Sequence, residues 1–285
     1  MAHQVPELFD PVKARRGDER AHRQGFEAFL IDRVTEDLVE RLAPVLRSFT
    51  RPLDFATPDF RFADALARSG KITGEIARLA EDAALDPSAL PEADENGFDL
   101  IASGMILHRI NDLPGLLARF RRVMKPDGML IAAFPGGDTL TELRDTLMQA
   151  ESEIRGAAGL RVFPMIDVRA AGQLLQRAGF ALPVVDSERL TVRYDTPFGL
   201  IRDLRAMGGT ALALNRIGQP PLTRAIIARA AELYAEKYAD ADGRIRVTFE
   251  IIWVSGWAPH ASQQQPLKPG SAKMRLADAL KPPGK

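Results

Sequence analysis

Residues 98–134 contain two short apolar runs joined by an amphipathic helix, and this segment restricts the fold more than any other. The runs are "FDLIASG" at 98–104 and "MLIAAF" at 129–134. Between them, "LPGLLARFRRVM" at 113–124 places its apolar residues on one helical face, and "KPDG" at 125–128 is a turn with Pro126 at its second position. Strand, helix, turn and strand in this order form a βαβ unit. The segment therefore predicts a parallel sheet with a right-handed crossover.

Helical and strand-like patterns continue through the rest of the chain. Apolar residues from Phe26 to Leu46 recur every three or four positions, which predicts an amphipathic helix. A helix is expected over 137–155, with Asp138 or Thr139 as its cap and Glu142 in its first turn. The run "EIARLA" at 75–80 fits either a strand or a helix. The other predicted elements are a strand at 52–55, a helix closed by Gly70, a helix at 167–180 stopped at Gly179, paired strands at 184–195 and 244–258, and helices at about 197–207 and 221–239.

The expected organisation is one large α/β domain with appended segments. Residues 1–48 comprise an N-terminal arm, loose up to residue 25, and the amphipathic helix. Residues 49–259 form the main domain, with a helical insertion at about 197–240 between its last two strands. The Pro-, Gln- and Lys-rich residues 260–285 are expected to be a mobile tail.

Composition excludes several classes of protein. The chain has no cysteine and only four scattered histidines, so we expect no metal site. Lys plus Arg and Asp plus Glu both number 38, which argues against a nucleic-acid binder. The basic residues near the N-terminus are interpreted as a solvated helix start; they are Lys13, Arg15, Arg16, Arg20 and Arg23. No apolar run reaches the length of a transmembrane helix and no secretory signal is visible, so a cytoplasmic protein, with peripheral membrane contact left open, is expected.

The word "FRRVMKPDGMLIAAF" resembles the helix, turn and strand of class I S-adenosylmethionine-dependent methyltransferases. Their Rossmann-like sheet is mostly parallel with an antiparallel last strand. Four longer words are similar to the methyltransferase-like assembly factors of respiratory complex I, a group close to the malonyl-carrier-protein methyltransferases of biotin synthesis: "FDLIASGMILHRINDLPG", "PGGDTLTELRDTLMQAE", "DLRAMGGTALALNR" and "DGRIRVTFEIIWVSGWAPHASQQQP". The resemblance, which extends from about residue 9 to residue 272, implies a protein partner with an arginine to be modified.

The cofactor loop departs from the family pattern. The family reads close to "LDLGCGxG" at its first strand, whereas this chain reads "LDFATPDF". Leu53 and Asp54 match, but every glycine is missing. The segment between Gly70 and Asp99 also looks too short for the family's second strand, its acidic end and the helix after it. We therefore expect this segment to be shortened, the ribose-binding carboxylate to be lost, and S-adenosylmethionine to bind weakly or not at all.

The resemblance assigns candidate site residues to strand ends. Asp54, Phe55 and Ala56 at the first strand, with Ser103 and Gly104 at the end of "FDLIASG", are the candidate cofactor-binding residues. Asp54 has the alternative role of satisfying nearby backbone N–H groups, and Gly104 that of a plain turn. The candidate catalytic residues are His108 and Asp138.

Each catalytic candidate has a structural alternative. The imidazole of His108 could act as an acid or base near neutral pH, but a histidine beside a helix start is often structural. Asp138 could be no more than a helix cap. Asn215 and Arg216 match a family word without a role that we can assign.

Three functions remain open at this point. The first is a diverged protein that binds or modifies a partner in complex I assembly through an impaired cofactor site. The second is an active methyltransferase with a rebuilt pocket, acting on a carboxylate or a protein. The third is a binding module without chemistry. A nicotinamide-dependent enzyme is disfavoured, because no G-x-G-x-x-G follows any predicted strand.

Overall fold

A single mixed sheet organises the computed structural model, which describes residues 7–79, 90, 97–209 and 220–264. Its strands lie in the order β2-β1-β3-β4-β6-β5, and the first four run parallel. The last two are joined by antiparallel pairing, as is β6 to β4. The strands are β1 (Pro52–Phe55), β2 (Ala77–Leu79), β3 (Phe98–Gly104), β4 (Met124–Pro135), β5 (Ala181–Tyr194) and β6 (Ile245–Trp257). The predicted fold class is confirmed.

Helices cover both faces of this sheet. Those that the structure describes are α1 (Pro11–Gln24), α2 (Phe29–Leu42), α3 (Arg61–Arg68), α4 (Leu113–Val123), α5 (Thr141–Arg155), α6 (Val168–Arg177), α7 (Pro197–Ala206) and α8 (Arg224–Tyr238), together with a 3₁₀ turn at Leu107–Arg109. None of these described helices is long and apolar enough to span a bilayer.

Alternation along the central strands creates two hydrophobic layers. On β4, Ile131 and Ala133 face the layer that contains α2, α3, α5 and α8. Leu130, Ala132 and Phe134 face the opposite layer, which contains α4 and α6. Because both faces of β3 and β4 are covered, both strands read as continuous apolar runs in the sequence.

The βαβ prediction is confirmed with one difference. β4 starts at Met124 rather than at residue 129, because "KPDG" forms an irregularity inside the strand. Phe98 pairs with Met124, whereas Leu100 already pairs with Met129. Asp127 reaches a φ of +62° within this bulge. The predicted turn chemistry is therefore present, but the chain returns to the same strand instead of leaving it.

The pairing of the two last strands is also confirmed. β5 and β6 are hydrogen-bonded from Val184 opposite Ser255 to Tyr194 opposite Ile245. Helices α7 and α8 lie between them in the sequence and pack outside the sheet, with Leu200 of α7 and Leu233 of α8 in the hydrophobic core.

The expectation of a loose N-terminal arm is wrong for residues 11–24, which form α1. Asp10 caps this helix by accepting hydrogen bonds from the N–H groups of Val12 and Lys13. The helix buries only the small residues Ala14, Gly17 and Ala21, so it has no apolar stripe in the sequence. The basic residues of this segment are exposed, as the solvated-helix interpretation predicts.

The expectation of a shortened segment after Gly70 is met in part, since a second strand of only three residues is present. β2 lies parallel to β1, with Ala77 opposite Leu53 and Arg78 opposite Asp54. Three partly exposed residues are too few to give a periodic signal, which explains why the sequence left "EIARLA" undecided. Residues 80–96, apart from Leu90, lie outside the described residues, so the loss of a ribose-binding carboxylate stays a prediction. Residues 265–285 of the predicted tail are likewise outside them.

Candidate functional site

A cavity of about 170 Å³ lies at the carboxyl ends of the parallel strands. Its floor consists of residues that follow strands: Pro58 after β1, Met105 after β3 and Pro135 at the end of β4. Helices α1 and α2 and the end of α7 contribute the opposite walls. This edge of an open α/β sheet is where ligands bind, so the cavity is the candidate site.

Two features hold α1 against the cavity. The guanidinium of Arg109 donates to both carboxylate oxygens of Asp18, at 3.1 and 2.6 Å. After α7, Gly208 has a φ of +73°, and a Cβ there would lie 2.2 Å from Oδ1 of Asp18. Only glycine combines this backbone angle with this close approach. The "MGG" of the family-like word thus forms part of the cavity wall, which the sequence did not reveal.

Glu250 on β6 fixes the turn between β4 and α5. Its carboxylate accepts the N–H of Asp138 at 2.9 Å. Its backbone exchanges two hydrogen bonds of 3.0 Å with the hydroxyl of Thr139. Glu250 itself is buried. The turn directs Thr139, Leu140 and Leu143 into the cavity wall, so the N-terminus of α5 faces the carboxyl edge of the sheet as predicted.

Asp138 is not a helix cap, so that interpretation is wrong. α5 begins only at Thr141, and no side chain caps its first turn. Because Glu250 holds the backbone N–H of Asp138, the carboxylate turns outward and pairs with Arg189 on β5. It is half-exposed and does not line the cavity. The catalytic role of Asp138 stays a prediction that this geometry does not favour.

His108 does line the cavity, in the 3₁₀ turn that follows β3. Its Nδ1 is buried and has no hydrogen-bond partner among the described residues. Burial, and then the charge of the neighbouring Arg109, lower the pKa of His108 to about 3. The imidazole is therefore neutral near pH 7 and too weak a base to abstract a proton efficiently there. Its catalytic role stays a prediction, with hydrogen bonding as the chemistry best suited to it.

Arg78, which the sequence did not single out, fills the cofactor loop. Its Nε donates to Oδ2 of Asp54 at 3.2 Å, and its Nη2 donates to the carbonyls of Thr57 and Asp59 at 2.8 and 2.5 Å. The guanidinium also stacks 4.1 Å above the ring of Phe60. One side chain on β2 therefore ties together the whole loop that replaces the glycine-rich one.

Asp54 is fully buried, and its Oδ1 has no hydrogen-bond partner in the part of the chain that the structure describes. Burial raises the pKa of Asp54 to about 6, although the hydroxyl of Thr57 and the charge of Arg78 act in the opposite direction. Desolvation is thus the larger effect. The alternative role of Asp54, in which it satisfies backbone N–H groups, does not occur among the described residues, since the carboxylate pairs with the guanidinium of Arg78 instead.

The five candidate cofactor residues come together, but none of them lines the cavity. All are buried: Asp54, Phe55, Ala56, Ser103 and Gly104. The hydroxyl of Ser103 donates to the carbonyl of Phe55, and the N–H of Gly104 donates to the hydroxyl of Thr57. Gly104 is required for packing rather than for a turn, since a Cβ there would lie 2.9 Å from the ring of Phe62. The polar groups of this crevice are therefore largely used within the protein.

Glu151 on α5 organises another wall of the cavity. It is buried, binds the guanidinium groups of Arg155 and Arg161, and accepts the N–H of Gly159 at 3.0 Å. These contacts lower the pKa of Glu151 to about 2, with the hydrogen bond from Arg161 as the largest cause. The cluster fixes the segment that places Val162, Phe163 and Met165 in the cavity wall.

No group of three or more His, Cys, Asp or Glu side chains suited to a metal ion occurs in the part of the chain that the structure describes. Asn215 and Arg216 lie outside the described residues.

Comparison with known proteins shows the family. The model of the family described as "Methyltransferase domain" matches residues 24–183. The mitochondrial arginine-hydroxylase NDUFAF5 of Danio rerio is 35% identical over 269 residues, covering 89% of this chain and 82% of the relative. The corresponding protein of Mus musculus is 36% identical and covers 96% of this chain and 84% of its own length.

A second group of relatives is named for a different activity. The malonyl-[acyl-carrier protein] O-methyltransferase of Laribacter hongkongensis is 34% identical over 222 residues, covering 76% of this chain and 70% of the relative. Among solved structures, the YcgJ protein of Bacillus subtilis aligns with a TM-score of 0.45 at 15% identity, over 80% of this chain and 99% of its own.

The sheet order, the matched family model and the long alignments agree with one another. The chain belongs to the methyltransferase-domain family, in the neighbourhood of the NDUFAF5 arginine-hydroxylases and the malonyl-[acyl-carrier protein] O-methyltransferases.

Proposed function

We propose that this chain is a diverged methyltransferase-fold protein that acts on an arginine side chain of a partner protein during the assembly of respiratory complex I. Relatives of nearly full length are arginine-hydroxylases by name, and the chain aligns with more than four-fifths of their length. In this proposal, S-adenosylmethionine does not bind in the position usual for the fold.

The observation that carries the proposal is the separation of the cofactor crevice from the cavity. Asp54, Ala56 and Ser103 are all buried, and Arg78 occupies the loop above them. The cavity, by contrast, is lined by residues of the turns after the strands and of the N-terminal helices. This arrangement favours a protein that has kept a cavity for a substrate but has changed the crevice in which the fold usually binds the methyl donor.

The residues present do not fit a methyl donor lying against β1. Ala56 already has a left-handed φ of +58°, which costs an alanine about 1–2 kcal/mol, so a closer approach by its backbone is opposed by its Cβ. Of the loop residues that replace the glycines, Thr57 and Asp59 are not left-handed, so only Ala56 carries this strain. A donor would also have to displace Arg78, whose charged hydrogen bonds are worth about 1.5–3 kcal/mol each.

These contributions are not additive, and we count about 4 kcal/mol in total. At about 1.4 kcal/mol for each tenfold change, affinity falls by about a thousandfold. A micromolar site would become millimolar.

The runner-up function is an active methyltransferase on a carboxylate. It is supported by the malonyl-[acyl-carrier protein] O-methyltransferase relatives, which cover about three-quarters of this chain. The third function is a binding module without chemistry. Thermal unfolding with and without S-adenosylmethionine distinguishes the runner-up from the other two, because a ligand of the native state must raise its stability.

The proposal itself is tested in the organism. A strain without this gene is compared with its parent, and the arginines of the complex I subunits are examined by mass spectrometry. We expect one arginine to carry an added oxygen atom in the parent and to be unmodified in the deletion strain. An arginine methyl group that disappears in the deletion strain would show methylation of arginine in place of hydroxylation. Identical arginine masses in the two strains would contradict the proposed function.

A further inference from the structure

We propose that Glu27 recognises the guanidinium group of the arginine side chain that enters the cavity. The inference rests on the proposed function and adds to it the residue that selects a cationic substrate. Glu27 lies between α1 and α2 and lines the cavity together with its neighbour Phe26.

The charges of the cavity wall support this assignment. Asp18 is paired with Arg109, and Arg161 shares the carboxylate of Glu151 with Arg155. The carboxylate of Glu27 has no hydrogen bond or ion pair to any residue that the structure describes. Among the described residues, Glu27 therefore presents to the cavity a carboxylate that is available to pair with a singly charged cation.

The rest of the wall suits the stem of an arginine. The cavity is mainly apolar, and Phe26, Leu143 and Phe163 are among its lining residues. Three methylene groups can pack against such side chains while the charged end is held by a carboxylate. His108 lines the same cavity, and its low pKa of about 3 keeps the imidazole uncharged, so it does not repel a guanidinium.

Glu27 is also positioned on a route from the surface. An outer groove of about 600 Å³ lies beside the cavity, and Glu27 is the residue that lines both. The groove includes Tyr194 and the exposed ring of Phe198. The backbone N–H of Glu27 donates to the carbonyl of Ala206 at 3.1 Å, which fixes its position at the end of α7. A partner chain lying in the groove can thus extend one arginine past Glu27 into the cavity.

The direct test is the binding of small probes to the purified full chain. N-acetyl-L-arginine methylamide is compared by NMR titration with its citrulline analogue, which has the same shape without the charge, and with its lysine analogue. A partly exposed charged hydrogen bond is worth about 1.4 kcal/mol, so we expect the arginine probe to bind about tenfold more tightly than the citrulline probe. The lysine probe should bind more weakly than arginine, because only a guanidinium offers paired donors to a carboxylate.

Two matched variants complete the test. Glu27→Gln should abolish the preference for arginine over citrulline. Glu36→Gln, which removes an exposed carboxylate of α2 outside the cavity, should retain it. Because the carboxylate of Glu27 pairs with none of the described residues, Glu27→Gln should unfold at the same temperature as the parent protein. Equal binding of arginine and citrulline by the parent, no binding of either, or an unchanged preference in Glu27→Gln would each overturn the inference.

Expression of the variants in the deletion strain separates this inference from the proposed function. We expect the arginine modification to return with the parent gene and with Glu36→Gln, but not with Glu27→Gln. If all three genes restore it, the function stands and the role of Glu27 is wrong. If the parent strain has no modified arginine at all, the proposed function itself fails.

Discussion

The burial of Asp54 predicts an unusual dependence of stability on pH. Asp54 is inaccessible to solvent, and burial raises its pKa from the ordinary 3.8 to about 6. The folded protein therefore binds this proton more tightly than the unfolded chain does. The resulting stabilisation is complete below about pH 3.8 and is lost as the pH rises through about 6.

The magnitude follows from the two pKa values. The change from 3.8 to about 6 corresponds to about 3 kcal/mol, at about 1.4 kcal/mol for each tenfold change in acidity. Asp54→Asn removes the titration but keeps the shape of the protonated side chain. The difference in unfolding free energy between Asp54→Asn and the parent should therefore shift by about 3 kcal/mol in favour of the variant between about pH 4 and about pH 7.

Urea unfolding, followed by the fluorescence of the buried Trp253, measures this difference. Using the difference between two proteins cancels other titrating groups, such as Asp37, whose pKa is also raised to about 6 by burial. A difference in unfolding free energy that is the same at every pH does not affect the test, because the amide of asparagine forms different hydrogen bonds from a carboxyl group. If the unfolding free energies of the parent and Asp54→Asn changed with pH in parallel, the reasoning would be refuted. Such a result would mean that Asp54 is solvated and that the crevice beside it is open.

Three further predictions concern the walls of the cavity, and each is measured by equilibrium unfolding. Glu151→Gln should lower the free energy of unfolding by about 3 kcal/mol at neutral pH, because the pKa of this carboxyl is lowered from 4.5 to about 2. The parent protein should lose the same stabilisation as the pH falls from about 4.5 through about 2. An unfolding midpoint of Glu151→Gln equal to that of the parent at neutral pH would contradict this. Gly208→Ala should lower the free energy of unfolding by more than about 1–2 kcal/mol, since it combines a left-handed backbone with a Cβ 2.2 Å from Asp18. It should also expose α1 to proteolysis. Equal digestion of the variant and the parent protein would count against this prediction. Asp138→Ala should cost less than about 1 kcal/mol, because the side chain is no cap and its pairing with Arg189 is half-exposed; a larger loss would show a structural role that we have missed.

The strongly periodic elements were predictable from the sequence, and the reason is physical. β3, α4 and β4 are buried on both sides or along one whole face, so their apolar residues follow the period of the element. α1 and β2 were not predictable in this way. α1 buries only alanine and glycine, and β2 has three residues of which none is fully buried.

The candidate site was predictable in location but not in detail. Motif positions placed His108 and the "GGDTL" turn at the carboxyl edge, where the structure also has them. The roles of Arg78, Glu151 and Glu250 depend on partners far away in the sequence, such as the 112 positions between Glu250 and Asp138. Glu27 was missed because it lies in a short linker, where no motif or periodicity marks it.

The central claim is that the cofactor crevice of this methyltransferase fold is closed by Arg78 and the glycine-free loop. Isothermal titration of the purified chain with S-adenosylmethionine tests it most directly. With affinity reduced by about a thousandfold, we predict a dissociation constant in the millimolar range or no measurable heat. Binding with a low-micromolar constant would contradict the claim and would make an active methyltransferase the better account of this protein.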